Sequence, residues 1–397
     1  MIRIYDKKKC CGCTACKEIC QVGAINMIED DEGFKYPHVD KENCIKCNRC
    51  VSVCPNKNEQ LVNNFQRKVF ICQNINPDIQ IDSTSGGFFS ALANYILDKN
   101  GYIFGAEFDD EWKVIHGIGI KKEDLKRFRG SKYVQSDLND TFSIIKGLLE
   151  KENWILFTGT PCQVEGLVSF LGKRYEKLVI MDFVCFSVSS PKVWKYYLKH
   201  LNKCNKVNLD NVKKIKFRDK TKYGYEYTLM TFYDDNNNLL YSSGPESNQM
   251  LRSFVSNIST RPSCSDCKFK KVNRVSDFTA WDCYNVYKYN KKLDDNKGTS
   301  HVMIHNEKAE RILEEIRDRY LRVYQVDMKT AIQSEPAMTQ SSFQNDSRLK
   351  FFDLIKNGDD VFDYFFKDNM KVKIERILRR SLSKLGLYSS IKRMLKR

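Results

Sequence analysis

The sequence of 397 residues contains no uninterrupted run of about eighteen apolar residues, the length that a membrane-spanning helix requires. Its first residues, MIRIYDKKKCCGC, also lack the apolar stretch of a secretory signal. Histidine is scarce, with five residues in the chain, and the pair His301 and His305 lies in a predicted strand rather than in a metal-binding pattern. We therefore expect a cytoplasmic protein without a histidine-based metal site.

Positive charge is abundant but unevenly distributed. The formal charge is +16, and residues 371–397 contain ten Lys or Arg against one Glu, so this segment alone supplies +9. The rest of the chain has a mild excess and no evident pattern of aromatic and basic residues that would recognise bases. We therefore expect no nucleic-acid binding.

The C-terminal segment, residues 331–397, is predicted to be a basic helical tail. Six residues fall near one face of a helix: Ile374, Leu378, Leu385, Tyr388, Ile391 and Leu395. An apolar face surrounded by basic residues is typical of peripheral contact with an anionic surface, here the inner face of the membrane. Packing of this helix on its own domain is the open alternative.

Cysteine is abundant, with sixteen residues in a chain that shows no export feature. Reducing thiol pools keep cytosolic disulfides rare, so these cysteines indicate metal or redox use. An eleven-residue motif occurs twice, as CCGCTACKEIC from Cys10 and as CIKCNRCVSVC from Cys44. In two-cluster ferredoxins, three thiolates of such a motif bind one iron cubane and the fourth binds the partner cluster.

The duplicated motif predicts two 4Fe-4S clusters in a ferredoxin-type domain over residues 1–60. The predicted ligands are Cys10, Cys13, Cys16 and Cys54 for one cluster, and Cys44, Cys47, Cys50 and Cys20 for the other. Cys11 does not fit the spacing and is interpreted as a spectator. Pro55 follows the second repeat as expected, whereas Gln21 follows the first. Two structural zinc sites are the alternative, but the sequence has no zinc-finger spacing.

Residues 66–330 are predicted to form a larger domain of mixed α/β (α+β) class. Predicted strands lie at 68–75, 101–108, 114–120, 153–159 and 178–185. Helices are expected after Gly87, from Pro161 to Gly172, and from Pro191. This alternation favours a mixed or mainly parallel sheet covered by helices on both faces. Shorter runs over residues 212–243 indicate an antiparallel excursion.

Four cysteines of this domain lie beside predicted strand ends or turns. Cys162 near a helix start could be an activated nucleophile, because helix N-termini lower thiol pKa values. Cys264 and Cys267 form a CxxC pair that could be a redox disulfide or half of a zinc site. Cys185 at the end of an apolar strand reads by default as a buried thiol.

Taken together, six segments resemble the coenzyme F420 hydrogenase/dehydrogenase beta subunit family, whose members are iron-sulfur flavoproteins. In the family's order they are STSGGFFSALANYIL, RGSKYVQSDL, GTPCQVEGL, DFVCFSVSSPKVW, RPSCSDCKF and SDFTAWD. The resemblance covers about residues 70–310 and implies a third 4Fe-4S cluster and a bound FAD. By position, the implied ligands of that cluster are Cys162, Cys185, Cys264 and Cys267.

The sequence departs from the family pattern in two places. Phe186 and Ser187 stand where members commonly have a histidine and a glycine, and Trp281 stands where they tend to have a glycine. Cys283, close to Trp281, could substitute as a ligand. A zinc site, or separate structural and catalytic thiols, are the competing interpretations.

Six residues are candidates for contact with the implied FAD: Ser85, Gly86, Gly87, Ser131, Lys132 and Gln135. The first three open a helix whose free backbone N–H groups could receive a pyrophosphate. Lys132 could offset phosphate charge. Ordinary strand-to-helix turn chemistry and a solvated basic loop are the alternatives.

These features predict an iron-sulfur flavoprotein oxidoreductase that relays electrons between 4Fe-4S clusters and FAD. The organic substrate is unknown and could be a deazaflavin coenzyme. The first alternative is a non-catalytic electron-transfer subunit that carries clusters to a partner reductase. The second is a thiol enzyme that uses Cys162. A redox partner protein or a small-molecule electron carrier is expected as the partner.

Overall fold

The computed structural model describes residues 1–60, 62 and 64–395. The duplicated cysteine motif forms a small module with two similar halves. Its elements are α1 (Ala15–Glu18), the antiparallel strands β1 (Ile25–Glu29) and β2 (Lys35–Val39), and α2 (Arg49–Ser52). The residue before each helix, Thr14 or Asn48, has a left-handed backbone with φ of 63° or 61°. The sequence repeat is therefore also a repeat of local backbone structure.

An eight-stranded mixed sheet forms the centre of the larger part of the chain. Its strands are β3 (Lys68–Asn74), β4 (Tyr102–Phe108), β5 (Val114–Gly119), β6 (Ile155–Gly159), β7 (Leu178–Phe183), β11 (Phe278–Asp282), β12 (Ser300–Ile304) and β13 (Leu321–Val326). The strand order is β13-β3-β12-β11-β7-β6-β4-β5. The four central strands β11, β7, β6 and β4 run parallel, and the outer pairs are antiparallel. The predicted mixed sheet is confirmed.

Helices cover both faces of this sheet. They are α3 (Pro77–Asp82), α4 (Phe88–Leu97), α5 (Leu125–Phe128), α6 (Thr141–Glu150), α7 (Pro161–Leu171), α8 (Pro191–Lys203), α9 (Gln249–Val255), α10 (Glu307–Ile316) and α11 (Met328–Gln333). Local sequence explains their ends. Thr160 and Gln163 form a capping box at the start of α7, and Gly172 ends that helix with φ of 67°. Both boundaries agree with the prediction.

A separate antiparallel sheet interrupts the alternation of strands and helices. It consists of β8 (Lys214–Asp219), β9 (Leu229–Tyr233) and β10 (Leu239–Ser243), in the order β10-β9-β8. The predicted antiparallel excursion over 212–243 is confirmed. Its buried side chains pack with Trp194 and Tyr197 of α8, so this sheet closes an aromatic core beside the main sheet.

The C-terminal segment differs from the predicted tail. It forms α12 (Arg348–Asn357), α13 (Val361–Phe366), α14 (Met370–Lys384) and α15 (Tyr388–Leu395). Phe351, Phe352 and Phe362 are buried in the aromatic core, so α12 and α13 belong to the folded body. The amphipathic pattern is divided between α14 and α15, because the chain turns at Gly386 with φ of 69°. Among the described residues, no helix combines the length and hydropathy needed to cross a membrane.

The cysteine module lies directly on the larger part of the chain. Glu32 forms an ion pair with Arg348, and Lys17 pairs with Asp140 at 2.5 Å. Helix α1 contacts α7, and an added Cβ at Gly166 of α7 would lie 2.7 Å from the Cβ of Cys13 in the loop before α1. This close approach places one loop of the module against the start of α7, which carries Cys162.

Candidate redox site

A cavity of about 430 Å³ lies at the carboxyl ends of the central parallel strands. Cys162 lies in the first turn of α7, directly after β6, and Cys185 follows β7. Trp281 and Asp282 are the last two residues of β11. Ligand sites in sheets of this type form at this edge, where strand ends and helix starts meet. The volume also falls in the range of about 300 to 1,000 Å³ that small-molecule pockets occupy.

Four thiols from three distant segments of the chain converge on the wall of this cavity. Cys185 interacts electrostatically with Cys264, Cys162 and Cys267, and Cys264 in turn interacts with Cys267 and Cys162. All four line the cavity. They come from the start of α7, the end of β7 and the turn Pro262–Asp266 with the residue after it. The structure thus brings together the four cysteines that the resemblance implied as ligands.

Burial gives these thiols unusual protonation behaviour. It raises the pKa of Cys264 to about 12 and that of Cys267 to about 11. A hydrogen bond with Cys11, together with burial, raises the pKa of Cys162 well above its ordinary value. A reactive cysteine needs a lowered pKa, since the thiolate is the nucleophile. This environment therefore disfavours the interpretation of Cys162 as an activated nucleophile.

In the part of the chain that the structure describes, no three of the cavity thiols lie within 4.8 Å of one another, so they do not form a ready-made site for a single ion. Thiolates on one tetrahedral zinc, with Zn–S bonds of about 2.3 Å, lie roughly 3.8 Å apart. Within the described ranges, the one group of three or more ligand atoms closer than 4.8 Å to one another is His200, Cys204 and Asp360, far along the chain from the repeats. A cubane places each thiolate on a different iron and holds the sulfurs farther apart.

Cysteines of both repeats come close together in the module. The thiol of Cys16 is surrounded by Cys10, Cys54 and Cys50, and burial with these neighbours raises its pKa. Cys10, Cys13, Cys16 and Cys54 line one small cleft. Cys20 packs in the same cluster of side chains as Cys50. Cys54 of the second repeat thus lies with Cys10, Cys13 and Cys16 of the first, the neighbours that an exchanged ligand would have, and Cys11 lines the same cleft.

Cys11 occupies a position that the sequence analysis missed. It is buried, and its thiol is in hydrogen-bond contact with both Cys13 and Cys162. The spacing alone indicates that Cys11 is a spectator. The structure places Cys11 between the module and the cavity thiols. The doubled cysteine at the start of the first repeat, absent from the second, was the only signal in the sequence.

Cys283 lies away from the cavity thiols. It is buried near Cys72 and packs with Ile71, Val286 and Leu293. Trp281 does line the cavity, with its ring stacked on His301 at a centroid distance of 4.9 Å. The structure therefore places Trp281 at the cavity without bringing Cys283 to the other four cysteines.

Five of the six FAD candidates line the same cavity: Ser85, Gly87, Ser131, Lys132 and Gln135. Gly86 lies behind them, where an added Cβ would be 2.2 Å from the carbonyl oxygen of Cys72. Gly87 has φ of 86° and precedes the first turn of α4. The glycine pair thus lets the backbone turn tightly enough to present the N-terminus of α4, with its free N–H groups, to the cavity.

Positive charge faces the cavity. The basic residues in its lining are Arg129, Lys132, Arg218, Arg261 and Lys270, against the acidic residues Asp282 and Glu335. Arg218 is held by Asp282 at 2.6 Å and by the hydroxyl of Tyr284 at 2.6 Å. Burial lowers the pKa of Lys132 to about 8, and its ammonium donates to the carbonyl of Arg127 at 2.9 Å. An excess of cations with helix N–H groups fits a phosphate-bearing ligand.

Gln135 serves a different contact from the one expected. Its Nε2 donates to the carbonyl of Cys11 at 3.0 Å, and its Oε1 accepts from Arg261 at 2.8 Å. Both ends of the amide are therefore engaged where the cysteine module meets the cavity. Arg129, Arg218 and Arg261 were not singled out as site residues from the sequence, because isolated arginines carry no local motif.

Comparisons with known proteins find similarity in two parts of the chain. Residues 152–329 match the family model for the C terminus of the coenzyme F420 hydrogenase/dehydrogenase beta subunit, and residues 9–58 match that for a 4Fe-4S dicluster domain. Coenzyme F420-dependent sulfite reductase of Methanocaldococcus jannaschii is 26% identical over 275 residues. That alignment covers 67% of this chain and 40% of the reductase, so this chain spans less than half of that relative.

Two further matches concern the parts separately. An uncharacterized ferredoxin of Methanocaldococcus jannaschii is 38% identical over 52 residues, which are 13% of this chain and 66% of that protein. A chain of the F420-reducing [NiFe] hydrogenase complex from Methanosarcina barkeri superposes with a TM-score of 0.44 at 16% identity, covering 67% of this chain and 85% of that one. The protein described here is thus similar to 4Fe-4S dicluster domains over residues 9–58 and to the C terminus of the coenzyme F420 hydrogenase/dehydrogenase beta subunit over residues 152–329.

Proposed function

We propose that this protein is an iron-sulfur flavoprotein oxidoreductase, in which a third 4Fe-4S cluster lies between the dicluster domain and an FAD. The observation that carries the proposal is the convergence of Cys162, Cys185, Cys264 and Cys267 on the wall of the cavity that contains the FAD candidates. Cys11 of the dicluster domain contacts Cys162. The clusters of residues 1–60, the third cluster and the FAD of residues 66–330 would therefore be neighbours, and electrons could pass from one to the next.

The residues present fit both implied groups. Four thiols complete the ligand set of a cubane without help from another residue. The N-terminus of α4 after Gly87, with Lys132 nearby, would hold the pyrophosphate of FAD. Arg129 and Arg218 would add positive charge around it. Bound FAD would exchange an electron pair with an organic substrate and single electrons with the clusters.

The side chains around the cavity have two roles in this proposal. Met181, Phe183 and Trp281 provide apolar walls that exclude water from the site. Burial raises the pKa values of Cys264 and Cys267, so these thiols hold their protons more strongly than ordinary cysteines do. Their protons must leave as iron binds, so cluster insertion is coupled to proton release. Among the described residues that line the cavity, no side chain stands out as a proton donor to substrate.

The organic substrate is a separate part of the proposal. The name of the sulfite reductase relative includes coenzyme F420, and the family model bears the same coenzyme's name. We propose a deazaflavin coenzyme of this kind as the first substrate to test. Kinship of fold does not fix a substrate. A redox partner protein or a small-molecule carrier would exchange electrons with the dicluster domain.

Anaerobic purification, with iron, sulfide and flavin counted per chain, tests the proposal. About twelve irons and one FAD are expected for three cubanes and a flavin. About eight irons without flavin would instead support a subunit that only carries electrons to a partner reductase. Zinc in place of iron would contradict both functions. Reduction of F420 analogues by the loaded protein would then test the substrate.

We also propose, independently of the redox site, that the protein is cytoplasmic and that α14 touches an anionic membrane surface. Ile374, Ile377 and Leu378 are exposed on this helix, which is also rich in Lys and Arg. α15 is less available, since Lys392 pairs with Glu226 at 2.8 Å and Tyr388 packs on Tyr227. Cosedimentation with vesicles containing phosphatidylglycerol, but not with neutral vesicles, is expected. Equal pelleting with both would contradict the contact.

A further inference from the structure

Arg261 joins the dicluster domain to the cavity by a set of contacts that neither family match assigns. It is 2% exposed and immediately precedes the turn that carries Cys264. Its Nε donates to the carbonyl oxygen of Cys10 at 2.9 Å, and its Nη2 donates to the carbonyl oxygen of Lys35 at 2.9 Å. Nη1 donates to Gln135, which itself holds Cys11. One buried side chain therefore binds both sides of this junction.

The guanidinium also approaches a sulfur. Nη2 lies 3.9 Å from the Sγ of Cys10, a predicted ligand of the first cluster. Gly12, two residues after Cys10, has φ of 72°, and an added Cβ on Gly12 would lie 2.9 Å from Nη1 of Arg261. The first cysteine loop is thus shaped around the guanidinium. Arg261 is held in place from the other side by the rings of Tyr36 and Phe34, at 4.4 and 5.3 Å.

The charge of Arg261 lacks an ordinary counter-ion. In the part of the chain that the structure describes, no Asp or Glu oxygen lies within 4.0 Å of its guanidinium. Its electrostatic partners are Cys10, Tyr36, Cys11 and Cys264. A buried cation is costly unless an anion compensates it. Thiolates that ligate iron are the anions available at this position.

We propose that Arg261 is an electrostatic positioning residue, whose buried charge compensates the thiolates at the junction and raises the reduction potential of the cluster bound by Cys10. Net charge and hydrogen bonds to the ligand sulfurs are among the factors that set such potentials. A nearby positive charge favours the reduced cluster, since reduction adds a negative charge. The proposal rests on the proposed function for its iron ligands and needs neither the FAD nor a particular substrate.

Arg348 offers a matched control. It is also an arginine with little exposure that binds the dicluster domain, through an ion pair with Glu32. Its other contacts are the carbonyl of Thr260 and the ring of Phe352. Loss of Arg348 weakens the same interface, but it does not remove a positive charge that lies beside a predicted cluster ligand. The pair therefore separates an electrostatic effect on the cluster from loosened docking.

The test is a potentiometric titration of the holoprotein, followed by low-temperature paramagnetic resonance, for wild type, Arg261→Gln and Arg348→Gln. In Arg261→Gln, the constant for electron uptake by one dicluster cluster should fall about tenfold, which is about 59 mV for one electron. The other dicluster cluster should keep its potential, and Arg348→Gln should shift neither. Unchanged potentials in Arg261→Gln with full iron content, or equal shifts in both variants, would overturn the proposal.

A second variant covers the case in which Arg261→Gln does not retain its iron. Gln135→Glu keeps an acceptor for Nη1 and places a carboxylate against the guanidinium, so it should lower the same potential. An unchanged potential in Gln135→Glu would overturn the proposal. Wild type with about eight irons and no flavin would contradict the proposed function but leave this comparison of dicluster potentials intact.

Discussion

The two sets of thiols in this protein are specified in opposite ways. In the dicluster domain, eight ligands are predicted from two short motifs whose cysteines are mostly three residues apart. Around the cavity, four thiols between Cys162 and Cys267 come together from a helix start, a strand end and a turn. The first set needs only tight local loops. The second depends on strand order and on where each crossover ends.

The largest effect should come from removing one cavity thiol. Cys185→Ser is expected to lower the iron content from about twelve to about eight per chain, because a cubane needs its four thiolates. The paramagnetic signals of the dicluster domain should remain. Cys204→Ser, at an exposed thiol outside the cavity, is the control and should keep all irons. A full iron count in Cys185→Ser would contradict the assignment of Cys185 as a ligand of the cavity cluster.

The next effect concerns the flavin side of the cavity. Lys132→Met should weaken FAD binding about tenfold or more, since a hydrogen bond to a charged group contributes about 1.5–3 kcal/mol. Equilibrium dialysis against FAD measures this, with iron content as a check that the clusters are intact. Lys126→Met, an exposed lysine on α5, is the matched control. Equal affinities in the two variants would remove Lys132 from the flavin site.

A pH dependence should accompany that contact. Burial lowers the pKa of Lys132 to about 8, so its ammonium is charged below that pH and neutral above it. FAD affinity should therefore be constant on the acidic side and decline as pH rises through about 8. Dialysis between about pH 7 and pH 9.5 measures the profile. The decline should be absent in Lys132→Met, and a decline of the same size in that variant would contradict the assignment.

The smallest effect should come from Cys11, which lies where the two regions meet. Cys11→Ala should keep about twelve irons and lower the free energy of unfolding by about 1 kcal/mol, the usual cost of truncating a buried side chain. Iron analysis and anaerobic denaturation with urea measure the two quantities. Cys283→Ala is a matched buried thiol away from the cavity. Loss of about four irons in Cys11→Ala alone would make Cys11 a ligand.

Much of the fold could be predicted from local patterns. The strand at 68–75 was observed as Lys68–Asn74, and the helix from Pro161 to Gly172 was observed with its capping box. Strand β13, Leu321–Val326, was missed, because its alternating burial at a sheet edge leaves few consecutive apolar residues. The sequence predicts one basic helical tail over residues 331–397, whereas the structure has several helices there, of which α12 and α13 are packed in the core. Phe362 enters the core by packing on Tyr197 of α8, and Phe351 packs on Phe362, contacts that no local pattern reveals.

The candidate site shows the same division. The glycines before α4 and the cysteines beside strand ends can be recognised as motifs in the sequence. The sequence does not show that these residues surround one cavity. Gln135 was assigned to the flavin by its neighbours in sequence, yet it binds Cys11 and Arg261. Arg218 was not considered, because its position beside Asp282 depends on the approach of β8 to the end of β11. Such contacts involve residues that are far apart in the chain.

By itself, the sequence determined that this protein has two cluster loops, since thiolates at a spacing of three residues in a short loop can reach the corners of one cubane. Only the tertiary structure decided that Cys162, Cys185, Cys264 and Cys267 share a cavity wall and that Arg261 reaches Cys10. The physical reason is range. Ligand spacing within a loop is limited by a few backbone bonds, whereas contacts between distant segments arise from the order in which strands pair and buried side chains pack.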